Sequence, residues 1–107
     1  MSVPDRRAQL FRMDEARRQT QRQLDMIDRQ IIRRMTAVIP QLRPHSAGSG
    51  RGRGPGPAMF LERYRANLAA ITQERQHEID ALSRKLARQD AAIEVLRARL
   101  PPDLRRA

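Results

Sequence analysis

The stretch "LERYRANLAAITQERQHEIDALSRKL", residues 61–86, decides the fold of this chain. Leu61, Tyr64, Leu68, Ile71, Arg75, Ile79, Leu82 and Leu86 follow one another at steps of three and four. The row then continues through Gln89, Ile93, Leu96 and Leu100. An α-helix turns every 3.6 residues, so such a row runs along one side of a helix, and a repeat near 3.5 is the seam of a coiled coil. The step from Arg75 to Ile79 adds an extra four, a stutter in the heptad pattern.

A second row precedes it. Leu10, Met13, Arg17, Thr20, Leu24, Ile27, Ile31, Met35 and Val38 keep the same spacing, with a stutter from Ile31 to Met35. Laid antiparallel, Val38 faces Leu61, Met35 faces Tyr64, Ile31 faces Leu68, and Leu24 faces Arg75. Thr20 faces Ile79, Arg17 faces Leu82, Met13 faces Leu86 and Leu10 faces Gln89. Each pair of numbers sums to 99, and Ile27 with Ile71 misses by one. A parallel dimer also satisfies the periodicity, but only a hairpin gives the segment between the rows a task. The expected fold class is therefore all-α, an antiparallel two-helix coiled-coil hairpin.

That intervening segment, "SAGSGRGRGPGP" at 46–57, holds all five glycines of the chain and two of its arginines. Twelve flexible residues reach about 17 to 21 Å, while packed helix axes lie about 8 to 10 Å apart, so the segment can turn the chain without strain. Arg51 and Arg53 also make it a candidate phosphate contact, although no aromatic stands between them to stack a base. The first helix opens on "SVPD", with Ser2 as N-cap, Pro4 in the first turn and Asp5 at the positive end of the helix dipole. Pro40 and Pro44 are expected to end it. The second opens near Gly56-Pro57 and stops before Pro101 and Pro102, with Arg97 and Arg99 at its negative end. The expected division is a first coiled-coil helix at 1–43, a Gly/Pro/Arg-rich linker at 44–57 and a second coiled-coil helix at 58–107.

Composition agrees with long helices. Aromatics make up only 3% of the 107 residues, so the core must come from Leu, Ile, Met, Val and Ala. Charged residues reach 32%, as in extended helices with solvated faces. The net charge is +10, which draws the chain toward phosphates and acidic surfaces. There is no cysteine, no apolar run of membrane-span length and no signal-like N-terminus, and the chain reads as cytoplasmic. His45 and His77 stand apart, without a metal-ligand spacing. Ser2, Ser46, Ser49 and Ser83 have no arrangement of His and acid around them, and the glycine run lacks the Lys-Ser/Thr of a phosphate loop. Neither catalysis nor a cofactor or metal is expected.

Two arginines, Arg17 and Arg75, occupy seam positions. Their stems can pack while their heads reach water at the seam edge, or they can set register or face an acidic groove on another protein. The register also leaves an overhang. Ile93 lies opposite Arg6, Leu96 opposite Val3, and Leu100 has nothing opposite, so these three are candidate contacts for a third helix from a second copy or a partner.

The stretch "YRANLAAITQERQHEI" at 64–79 resembles the corresponding helix of the flagellar export protein FliJ and the YscO-like proteins of type III secretion. That family comprises small cytosolic antiparallel coiled-coil hairpins that resemble the rotary stalk of the ATP synthase, enter the export ATPase ring and contact the export gate. The resemblance implies a gate-contacting face at Tyr64, Leu68, Ile71 and Arg75. Tyr64 and Leu68 match the family's aromatic and Leu; Ile71 and Arg75 depart from its small residue and His. The expected function is a non-enzymatic coiled-coil interaction protein, specifically a FliJ-like stalk component of an export apparatus. Two other readings compete: an arginine-rich nucleic-acid-binding protein, and a structural coiled coil that self-assembles as a homo-oligomer.

Overall fold

The computed structural model describes residues 2–42 and 56–102. These form three helices, α1 (Val3–Leu42), α2 (Pro57–Glu74) and α3 (Gln76–Ala98), and no strand is present among the described residues. The all-α expectation holds. Most of the proposed linker, including Arg51, Arg53 and His45, lies outside the described residues.

Local chemistry sets the helix ends. The Ser2 hydroxyl accepts the Asp5 amide at 3.2 Å, capping α1, and donates to the Asp5 carboxylate at 2.6 Å. Gly56 caps α2 from an extended backbone, and Pro57 follows at the first helical position, where a missing amide hydrogen costs nothing. Two expectations fail at the other boundaries. Pro40 does not stop α1, which continues to Leu42. The proline falls in the last turn, where the carbonyl of Thr36 loses one donor but no further turns follow. The second helix is not continuous either. At Arg75 the backbone leaves the helix at φ −105° and ψ 3°, and its amide bonds to the carbonyl of Thr72 at 3.0 Å, three residues back. This tightened turn falls at the stutter, where the heptad pattern cannot be kept by a regular helix.

The chain divides into two compact units. One joins the residues up to Asp25 with those from Glu78 onward; the other is Met26–His77. In the first, Leu10, Ile93, Leu96 and Leu100 form one buried cluster, with Met13 packed against it. Arg6 donates to the carbonyl of Arg99 at 3.0 Å, placing a cation at the negative end of α3. Arg17 pairs with Asp90. Numbers rise on α1 as they fall on α3, so the pairing is antiparallel.

In the second unit Ile27, Ile31, Met35, Leu42 and Ile71 are buried. Arg75 donates to the side-chain oxygen of Gln30 at 2.8 Å, and Arg34 pairs with Glu74 at 2.5 Å. This pairing is antiparallel as well.

The expected register is corrected in each unit. Arg17 reaches Asp90 rather than Leu82, and Arg75 reaches Gln30 rather than Leu24. Both differ from expectation by about seven residues, one heptad. Heptad seams are self-similar, so a slip of seven keeps apolar residues facing apolar residues. The slip seen here removes the overhang, because Leu100 is 2% exposed, Ile93 4% and Leu96 4%. Each such side chain gains roughly 1.5 to 3 kcal/mol by leaving water. Leu61 takes the opposite course and is 43% exposed instead of facing Val38.

Candidate interaction surfaces

The second unit carries the more apolar surface. On α1, Ile31, Ile32, Met35 and Ile39 border a shallow groove closed on its other side by Tyr64 and Leu68 of α2. Ile31 and Met35 are buried seam residues, but Ile32 is one position off the seam and 55% exposed. Tyr64, Leu68 and Ile39 are half-buried. Asp28 is the one charged residue on the groove. The Phe60 ring stacks near that of Tyr64, with centroids 6.4 Å apart, and holds the phenol against its helix.

Of the residues expected to contact a partner, Tyr64 and Leu68 come together on this groove. Ile71 is buried beneath the helix pair. Arg75 is half-buried, and its guanidinium is held by Gln30. Ile93, Leu96 and Leu100 are core residues of the first unit. Arg51 and Arg53 lie outside the described residues. Sequence reasoning missed Ile32 because it followed the seam alone; the signal available was the doublet Ile31-Ile32, which forces one of two large side chains off the buried row.

The first unit has a polar cleft lined by Asp14, Arg17, Asp90, Ile93, Glu94 and Arg97. Arg17 pairs with Asp90, and Arg97 lies 3.5 Å from Glu94. The cleft and the groove hold about 290 and 260 Å³. Both fall short of the roughly 300 Å³ at which small-molecule pockets begin, and both are open. Among the described residues no three His, Cys, Asp or Glu side chains converge on a metal position. No described helix is long and apolar enough to cross a membrane.

The Arg34–Glu74 pair perturbs its own titration. The hydrogen bond and then the charge of Arg34 hold the Glu74 carboxyl below its ordinary value, and the same two causes raise the guanidinium. Both side chains are about half exposed, so the pair tunes a surface rather than a site. Comparison with protein-family models, with characterised proteins and with solved structures gave no match.

Proposed function

We propose that this chain is a non-enzymatic helical interaction protein that presents a paired-helix face to a protein partner. The observation that carries this reading is the groove of the second unit, where Ile32 stays 55% exposed beside Tyr64 and Leu68. An apolar groove between two helices suits the apolar side of a third helix. The specific form of the reading is a FliJ-like stalk component of a flagellar or type III export apparatus. The two residues that match that family's contact face, Tyr64 and Leu68, are the two that α2 contributes to the groove.

Titration of the chain with the purified export ATPase and with the gate component tests this form. Ile32→Asp should weaken binding tenfold or more while helical content stays unchanged, because the side chain is exposed and off the core. Absence of binding to both components would remove the export reading. Concentration-dependent oligomers of the chain alone, abolished by the same substitution, would put self-assembly in its place.

A further inference from the structure

The first unit carries one cationic flank, while further exposed arginines, Arg7, Arg22 and Arg84, stand elsewhere on it. Its acids are largely engaged: Asp90 by Arg17, Glu94 by Arg97, Glu15 by Arg18, Asp25 by Gln21 and Asp5 by Ser2. Asp14, Asp90 and Glu94 share the flank of the polar cleft. On α3 and the turn that directly follows it, Lys85, Arg88 and Arg99 recur at steps of three and eleven. At about 100° per residue this stripe stands roughly opposite Asp90 and Glu94, with the buried row Ile93, Leu96 and Leu100 between the two. On α1, Arg12 stands two residues from Asp14, about 200° around the helix, and so away from the cleft. All four cationic side chains are exposed, and none has an ion pair among the described residues.

We infer that this cationic flank, Arg12 with Lys85, Arg88 and Arg99, binds duplex nucleic acid through its phosphate backbone. The stripe from Lys85 to Arg99 extends about 21 Å at 1.5 Å per residue. Over that length a duplex carries about 12 phosphate charges, at one per 1.7 Å with both strands counted, and those bordering the facing groove are enough to meet four cations. Three of the four are arginines, whose planar forks bond phosphate oxygens in pairs.

The surroundings distinguish this ligand from two others. A membrane-surface helix needs a continuous apolar side to insert, and in this unit the apolar row of Leu10, Ile93, Leu96 and Leu100 is buried, leaving Phe11 and Val95 as single exposed apolar side chains on different helices. A protein interface of ordinary size has an apolar centre, whereas the large apolar side chains exposed in this unit are the isolated Phe11 on α1 and Val95 on α3. Interfaces with nucleic acid are polar and cationic, as this flank is. No element here is shaped to read base edges, so the binding is indifferent to sequence.

The test is fluorescence anisotropy of the full chain against a mixed-sequence duplex over a range of salt. The logarithm of the association constant should fall against the logarithm of salt with a slope of about −3 to −4, as four phosphate contacts require. Replacing Arg12, Lys85, Arg88 and Arg99 by Ala should weaken binding at low salt by about 30-fold or more and flatten the slope. A control with equal charge loss on the second unit, Arg29→Ala, Arg33→Ala, Arg63→Ala and Arg65→Ala, should stay within about threefold of the parent. If the fourfold Ala variant loses helicity, Arg88→Glu alone should weaken binding about tenfold. The inference is overturned by absence of duplex binding, by equal losses in the control, or by equal affinity for polyglutamate or anionic vesicles. Its failure leaves the groove of the second unit untouched, since none of these residues lines it.

Discussion

Gln89 occupies a seam position on α3, yet its side-chain oxygen Oε1 is buried with no hydrogen-bond partner among the described residues. An acceptor taken from water without a partner costs roughly 1 to 3 kcal/mol. Gln89→Leu removes that acceptor and adds apolar surface to the seam, so it should raise stability by about 1 to 2 kcal/mol in thermal or urea unfolding. An unchanged or lower midpoint would mean that the amide finds partners in solution. Glu74 offers a titration test at the same scale. Its carboxyl is lowered in the folded chain, so the pair with Arg34 stabilises above the ordinary carboxylate range and is lost as pH falls through the lowered value. Glu74→Gln should therefore produce a small fall in melting temperature at neutral pH that vanishes in acid. A difference that persists below the carboxylate range would assign the effect to packing.

At the scale of the element, the rows of apolar residues were legible and their consequences were not all legible. Every seam residue named on α1 is buried or half-buried, from Leu10 to Val38, and so is every one on α2 and α3 except Leu61. The register was readable too, in the single pair that missed. Ile27, Ile31 and Met35 take two successive steps of four, and so do Ile71, Arg75 and Ile79. A register one heptad further along sets these two runs against each other and removes the mismatch of Ile27 with Ile71. The turn at Arg75 was hidden because a stutter can be absorbed either by supercoil adjustment or by a break. Pro40 is tolerated because it lies in the final turn of α1, where proline has no following turn to disrupt.

The corrected register changes what substitutions in α3 do. Ile93→Ser with Leu96→Ser would have been a surface change on an overhang. Both side chains lie in the core of the first unit, where truncating an Ile or Leu costs about 2 to 5 kcal/mol each. The double variant should lose much of its helical signal at 25 °C by circular dichroism. Full helicity in that variant would return Ile93 and Leu96 to the surface.

For the molecule as a whole, composition described the kind of surface better than its use. With 3% aromatics, 32% charged residues and net charge +10, the helices set by the apolar spacing carry long polar faces. Where the free cations gather, however, depends on which acids are spent on internal pairs, and that follows from the register. The groove around Ile32 likewise depends on which member of the Ile31-Ile32 doublet faces inward. Both surfaces therefore rest on the antiparallel pairing in the heptad-shifted register, and disulfide trapping measures it directly. In a chain without native cysteine, Leu10→Cys with Leu96→Cys should cross-link rapidly within one chain, because both positions lie in the same buried cluster. Leu10→Cys with Gln89→Cys should not, since those positions lie about 10 Å apart along the helix axis in this register. Fast closure of the Leu10–Gln89 pair with an inert Leu10–Leu96 pair, or cross-links formed only between chains, would contradict the account.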